Sequence, residues 1–526
     1  MIIDYVSIEN FQSIAAPVRL ALRPLTLLYG PNSAGKSAID DAIQMMFDVM
    51  FARDFKNSIR KWARRDLTAT GKYLPIKLTL EGRVISRDGE FDSYFEQLGA
   101  EECAKRRVSE PPFDGYIFGV QIAFEFQRIP ADQLRFKNEH PMSEFSIFID
   151  GRQILHFSED SGDSHGDNGG YQSGLLKVWP IGIFDQLLGV VQGQEFVKVL
   201  PDGGIETSAT FNGFTNEFQS DFFDSDLNST FLKRVNSPLQ RFVFSQIAPL
   251  ERVTANRQPA PDCQNLTQSI THSPLALLAK DVETTFTFAV SPTRSIGAGK
   301  LYDSPSGRTV AAIPGSTGVD FVNRALSDLF EGNGYQVVFD VERVTIGKLF
   351  ASSKKLPDDV TSKIKVTRAS LVDSHGTELE FEDVGSGISF VLPVLTAMST
   401  QGSFIQQPEL HLHPAMQAKL ADLFVARLHT KDVRHHGCSV SPRHIIETHS
   451  EYLLLRVLRR IRETHTGRHD HSDLAITPND IAIYYFDPQL GGYTDITEIP
   501  VNEFGDFLKP WPKGFFEERG LDLFDE

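Results

Sequence analysis

Gly30-Pro31-Asn32-Ser33-Ala34-Gly35-Lys36-Ser37 is a complete G-x-x-x-x-G-K-S phosphate loop, and its flanks are those such a loop requires. Ahead of it, Pro24-Leu25-Thr26-Leu27-Leu28-Tyr29 is a short apolar run of the kind that forms a buried strand. Behind it, Ile39, Ala42, Ile43, Met46 and Phe47 recur at helical spacing. Strand, glycine loop and helix in that order constrain this stretch to a nucleotide-binding α/β unit. Its glycines let backbone amides curl around phosphate, and the helix N-terminus adds positive potential. In such a loop Lys36 reaches the β- and γ-phosphates of a nucleoside triphosphate, ATP being the ligand expected, and the Ser37 hydroxyl ligates Mg²⁺.

At 526 residues the chain exceeds what one hydrophobic core organises, so two or three lobes are expected. A net charge of −17 argues against a chain coated in nucleic acid, while leaving room for a local basic groove. The three cysteines, Cys103, Cys263 and Cys438, never form a C-x-x-C pair; they fit a reducing compartment and give no zinc-finger pattern. Asp4 and Glu9 interrupt any N-terminal signal core. The apolar run from Ile388 to Met398 contains Pro393 and falls far short of the roughly 20 residues a membrane helix needs. A soluble, cytoplasmic protein is expected.

Patterning divides the chain into four. Residues 1–73 hold the phosphate loop and form the N-terminal half of a nucleotide-binding lobe. Over 74–250 the period shifts to two, in Ile76–Leu80, Val120–Phe124 and Phe145–Ile149, which predicts antiparallel strands with one solvated face. A further strand is expected from Phe242 to Ile247. Residues 251–362 read as a mixed, partly helical insertion, with an amphipathic helix over Phe321 to Phe330. Residues 363–526 return to alternating strands and helices, which implies a largely parallel sheet. There Lys363–Thr367 and Glu378–Phe381 read as a hairpin. Helices are expected over 388–399, 414–428 and 452–463, and strands over 403–406 and 444–447. The fold class expected is α/β.

Motif order in this last segment narrows the type. The small-residue turn Asp383-Val384-Gly385-Ser386-Gly387 precedes a helix; Phe404-Ile405-Gln406-Gln407-Pro408-Glu409 ends a strand; Glu447-Thr448-His449-Ser450 ends another. Signature turn, acidic-strand position and histidine in this order are the arrangement of ABC-type ATPases. More than 330 residues separate Lys36 from the turn, so two half-lobes flank a large insertion.

With these motifs the chain resembles the OLD-like, AAA-labelled ATPases with ABC-type, SMC-like heads found in prokaryotic genomes, many in anti-phage defence. The resemblance rests on Ile8-Glu9-Asn10-Phe11, the phosphate loop, Gly385-Ser386-Gly387 with Leu392-Pro393-Val394-Leu395, and Gln407 to Pro414. It continues through Glu447 to Glu451 and the tail Trp511 to Arg519, and matches the middle only loosely at Pro249-Leu250-Glu251-Arg252. It implies ATP-driven pairing of two heads, the phosphate loop of one facing Ser386 and Gly387 of the other. It also implies that His449 senses the γ-phosphate, and that a separate effector, a nuclease or toxin, is the partner. The 77 residues after His449 show no convincing carboxylate cluster for a built-in nuclease.

One position departs from the family pattern. The strand-end Glu that would hold the Mg²⁺ shell or polarise water is Gln406, followed by another amide at Gln407. Neither can act as a general base or carry negative charge toward a metal. Binding and closure survive such a near-isosteric change while hydrolysis falls, whether the chain is a natural slow switch or carries a deliberate substitution. Glu409 and Glu447 are the reserve candidates for the base.

Plainer readings remain open elsewhere. His411 and His413 could pair on a metal or merely form a turn. His435, His436, His444, His465, His469 and His471 are expected at the surface. Ser158 to Gly170 reads as a flexible polar loop. Arg60 to Arg65 and the arginines at 456, 459, 460 and 462 could contact phosphate backbones, or face solvent or a protein. An SMC-type DNA-repair ATPase and a non-hydrolysing scaffold are the alternatives to a defence ATPase.

Overall fold

The computed structural model describes residues 2–50, 74–87, 104, 107–110, 113–126, 142–159, 171–178, 198–201, 205–212, 217–219, 288–290, 300–301, 316–330, 334–345, 363–379, 384, 386–399, 402–429, 432–435, 438–468 and 472–512. The basic stretch Arg60 to Arg65, the strand expected at Phe242 to Ile247, Pro249 to Arg252, Asp383, Gly385 and the tail from Lys513 lie outside the described residues. So does most of the polar loop between Ser158 and Gly170.

The chain is mixed α/β, built on a parallel sheet beside antiparallel ones. The strands of the first sheet are β1 (Leu25–Tyr29), β2 (Phe288–Val290), β3 (Gly402–Gln406), β4 (Arg443–Glu447), β5 (Ile481–Pro488) and β6 (Thr494–Glu498). Their order is β2-β3-β4-β1-β5-β6, parallel throughout except for the antiparallel β5–β6 edge. β1 and β4 are buried at every position, so neither shows the alternation of a half-solvated strand: β1 is apolar but for Thr26, and β4 carries Arg443, His444 and Glu447 around Ile445 and Ile446. β1, from the N-terminal tenth of the chain, is thus framed on both sides by strands from the last fifth.

Five helices are described, α1 (Ala38–Met50), α2 (Ser316–Leu329), α3 (Ser386–Met398), α4 (Pro414–Leu428) and α5 (Glu451–Thr466). Leu25, Leu27, Tyr29, Ile405, Ile446, Ile483 and Tyr485 occupy alternate positions and so share one face of the sheet. They form one core with Leu326 of α2, Leu395 of α3, Phe424 of α4 and Leu454 of α5. Pro393 sits inside α3, where Thr396 Oγ1 donates to the Leu392 carbonyl.

The antiparallel sheet has eleven strands. Ile2–Glu9 lies between Val18–Ala21 and Ile76–Arg87, so the chain begins in this sheet before crossing to β1. The period-two segments pair in one rung, Ile8 with Leu78, Leu78 with Phe124, Phe124 with Phe145, and Phe145 with Phe157. All of these are buried, and the Phe124 and Phe145 rings lie 5.1 Å apart. Their polar neighbours Lys77 and Glu125 pair across the other face at 3.3 Å. The two sheets are stitched by Tyr484 of β5, whose hydroxyl accepts the Ala21 amide and donates to the Ala21 carbonyl.

A smaller antiparallel sheet centres on Lys363–Val372. Glu378–Leu379 folds back on its end as expected, but its long partner is Gln336–Thr345, whose mixed charged and β-branched sequence gave no clean strand signal.

Candidate functional site

The phosphate loop is shaped by what its glycines avoid. Gly30 ends β1 at φ 144°, and a Cβ there would meet the Phe486 carbonyl oxygen at 2.5 Å. Gly35 has φ 88°, with Ser13 Oγ 2.1 Å from where a Cβ would lie. Conformation demands glycine at both positions, and at Gly30 the Phe486 backbone leaves no room for a side chain either. Ser33 also adopts a left-handed conformation, at φ 62°. Pro31, Asn32 and Ser33 face solvent, whereas Ala34 is buried. The helix grows directly from the loop, as the Ala38 amide donates to the Gly35 carbonyl (3.0 Å) and the Ile39 amide to that of Lys36 (3.2 Å). Thr494 of β6 braces the turn through Oγ1 to the Ala34 carbonyl (2.8 Å) and its amide to the Ser13 carbonyl (2.8 Å).

Lys36 is 3% exposed. Its Nζ donates to the Gly30 and Pro31 carbonyls, each at 2.9 Å, and lies 3.7 Å from Glu447 Oε1. Burial lowers the Lys36 pKa, and the Glu447 carboxylate opposes that shift. Ser37 Oγ donates to Glu447 Oε2 at 3.0 Å and accepts from Gln406 Nε2 at 3.2 Å. Gln406 and Glu447 are register partners at the ends of the parallel strands β3 and β4. The strand-end amide and the carboxylate of the next strand thus converge on one hydroxyl.

Gln407 turns the chain away from β3 at φ 47°, held by its amide on the Glu447 carbonyl at 2.6 Å. Glu409 is engaged elsewhere: Oε2 accepts from Thr448 Oγ1 and Oε1 from the His449 amide, both at 2.8 Å. Each oxygen of this reserve candidate for the base thus accepts one hydrogen bond from the 448–449 turn. His449 carries a buried Nε2 without a hydrogen-bond partner among the described residues. Burial, and then the charge of Lys36, lower its pKa to about 4, so it is neutral at pH 7.

Ser386 and Gly387 open α3. A Cβ on Gly387 would stand 3.3 Å from the His411 carbonyl oxygen, so this glycine already serves close packing within its own chain. His411 and His413 take the turn reading. His411 sits at φ 62° with its ring 4.2 Å from that of Phe390, and His413 caps α4 by accepting the Ala415 amide. On α5, Arg456 and Arg460 pair with Asp422, Arg459 with Glu463 and Arg462 with Asp506, so these arginines are matched by carboxylates.

Family models match three stretches of the chain. An AAA ATPase domain covers residues 1–106, and an AAA domain described as "putative AbiEii toxin, Type IV TA system" covers 320–456. Both matches are to AAA-type models, one near each end of the chain. A protein of unknown function (DUF3696) matches residues 476–525. No curated protein matches the chain. Among solved structures, an SMC head bound to the C-winged helix domain of ScpA is 10% identical, covering 95% of this chain and 98% of its own, at a TM-score of 0.35. An SMC head domain from Thermotoga maritima is 10% identical over 95% and 100%, at 0.31. An Smc head domain with an extended coiled coil, bound to the C-terminal domain of ScpA derived from Pyrococcus furiosus, is 10% identical over 95% and 96%, at 0.36. Among the described residues, no helix of the chain is long and apolar enough to cross a membrane.

His444 corrects the expectation of a surface histidine. It is fully buried in β4, where Nδ1 lies 2.7 Å from Ser403 Oγ and Nε2 has no partner. The pattern signal was hidden because a fully buried strand gives its polar residue no exposed phase. Burial, then the charge of Arg427, lower its pKa to about 3. The folded state holds this ring neutral, so its contribution to stability is intact above the unfolded value near 6.5 and is lost as pH falls toward 3. Melting temperatures measured from pH 7 to pH 4 will fall more steeply for the wild type than for His444→Gln; parallel profiles would refute the assignment.

Proposed function

We propose that this chain is an ABC-type ATPase head that binds ATP with Mg²⁺, closes against a second copy of itself, and in that state controls a separate effector, a nuclease or toxin, in prokaryotic anti-phage defence. Its head comprises 1–73 and 363–526, with a β-rich part over 74–250 and an insertion over 251–362 that returns Phe288–Val290 to the parallel sheet and α2 to the core. The observation that carries the reading is the convergence of Lys36, Ser37, Glu447 and His449 from opposite ends of the chain beside a strained glycine loop. The family description over 320–456, which names a toxin and a type IV TA system, supports the defence context.

The residues present fit ATP and Mg²⁺. Lys36 donates to two loop carbonyls, bonds that phosphate oxygens would replace with stronger charge-assisted ones. The unpartnered Nε2 of His449 is a polar atom in want of a ligand. Amides of Gly30, Pro31, Asn32, Ser33, Ala34 and Gly35 would cradle the phosphates, and Ser37 would hold the metal. Bound Mg²⁺ supplies charge neutralisation to the phosphates. Ser386 and Gly387, at the N-terminus of α3, would offer amides and dipole to the nucleotide of the partner copy. His449 would sense the γ-phosphate. Gln406 and Gln407, both amides, lower the rate of hydrolysis, which also supports a second reading, an ATP-dependent scaffold with little turnover. Direct contact with nucleic acid finds little support in the paired arginines of α5.

Three outcomes are expected. Lys36→Ala will weaken binding of a non-hydrolysable ATP analogue in titration calorimetry by at least about tenfold, the charge-assisted contact being worth roughly 1.5–3 kcal/mol; unchanged affinity would refute the site. Ser386→Arg will abolish ATP-dependent association in light scattering while leaving ATP binding by the single head intact. Position 386 is the better probe because any side chain at 387 crowds the chain's own turn. Gln406→Glu will raise single-turnover hydrolysis at saturating ATP, by up to roughly 10²–10⁴-fold if the new carboxylate acts as the base. No gain would show that position 406 does not limit turnover.

A further inference from the structure

The amide at 406 leaves the question of which group carries negative charge toward the metal. Gln406 and Glu447 are Cα partners across β3 and β4, and both side chains meet at Ser37 Oγ. Glu447 is 8% exposed, its Oε2 3.0 Å from the hydroxyl and its Oε1 3.7 Å from Lys36 Nζ. Each of its oxygens therefore faces one of the two phosphate-loop side chains that handle phosphate and metal. Hydroxyl and carboxylate are hard oxygen donors of the type Mg²⁺ takes.

We propose that Glu447 is the metal-side carboxylate of this ATPase: the charge absent from the end of β3 is supplied from the end of β4, one strand across. The proposal rests on the ATP and Mg²⁺ reading above and gives one of its residues a role. It separates two jobs that a strand-end Glu at 406 would have combined. Holding the metal passes to Glu447, and activation of water is left without a dedicated carboxylate at 406. Glu409 accepts one hydrogen bond at each oxygen from the 448–449 turn, whereas Glu447 reaches the Ser37 hydroxyl itself. The bonds to Glu409 orient His449 from the neighbouring position, so metal side and phosphate side are set by two different carboxylates.

A purely structural role for Glu447, tethering Lys36 and Ser37, is the competing explanation, and metal affinity distinguishes the two. Mn²⁺ binding to the complex of the full chain with a non-hydrolysable ATP analogue can be followed by the paramagnetic resonance signal of free Mn²⁺. Affinity for the same analogue is measured separately in EDTA. Glu447→Gln is expected to weaken Mn²⁺ binding about 10–100-fold, while metal-free nucleotide affinity holds or rises, since a negative charge facing the phosphates has gone. The exchange Gln406→Glu with Glu447→Gln is expected to recover part of the Mn²⁺ affinity, because the two side chains approach the same hydroxyl.

Unchanged Mn²⁺ affinity in Glu447→Gln overturns the proposal. So does an equal loss of nucleotide binding with and without metal, or an exchange variant that recovers nothing, since either assigns the effect to a damaged loop. A wild-type chain that binds no nucleotide in either condition overturns the ATPase reading, and this assignment with it. Normal nucleotide binding with an unaffected metal in Glu447→Gln removes the assignment alone.

Discussion

Everything at the site depends on β1 being held between β4 and β5. Its five residues are fully buried and pair with strands more than 400 positions later in the chain. Without that closure the phosphate loop would have no wall: the Phe486 carbonyl that forbids a side chain at Gly30 belongs to β5, and the Glu447 carboxylate that receives Ser37 belongs to β4. The entropic cost of closing so long a loop grows only logarithmically with length. A large insertion between the halves is therefore compatible with a tightly built centre, provided the joining strands bury enough apolar surface. The core shared by β1, β3, β4 and β5 with four helices meets that condition.

The same closure brings opposite charges into a low-dielectric place. Lys36 comes from the first half-lobe and Glu447 from the second, and neither is well exposed. A buried ammonium is costly unless paired and hydrogen-bonded. Here two loop carbonyls and a carboxylate 3.7 Å away offset that cost, so the loop is charged and compact before any phosphate arrives. Phosphate would then exchange partners with an ammonium already in position.

Much of this was legible in the sequence because the signals were local. A phosphate loop is a contiguous pattern whose glycines answer to backbone conformation, and the buried strand and helix around it have clear apolar periods. The helices expected at 414–428 and 452–463 are found at 414–428 and 451–466, started by Pro414 in the first turn and by the Ser450 N-cap. Period-two runs such as Ile76–Leu80 likewise predicted the antiparallel sheet, since one of its faces is solvated. What stayed hidden was lateral. The pairing of Gln406 with Glu447 is a matter of strand order, which no local pattern encodes, and the burial of His444 gives no alternation to read. The sequence shows Glu409 as a carboxylate near the site but not that its oxygens accept from the Thr448 hydroxyl and the His449 amide.

The position of a carboxylate matters as much as its presence. Charge that acts on a metal stabilises ground state and transition state alike, and so chiefly tightens binding. Charge that takes a proton from water acts only as the bond breaks, and so chiefly sets the rate. On the proposed reading, a site with Glu447 beside the phosphate-loop serine and amides at 406 and 407 would keep the first and give up part of the second. Such a head would hold its nucleotide firmly and release the closed state slowly. That balance suits a switch whose output is the lifetime of a complex better than a motor whose output is turnover.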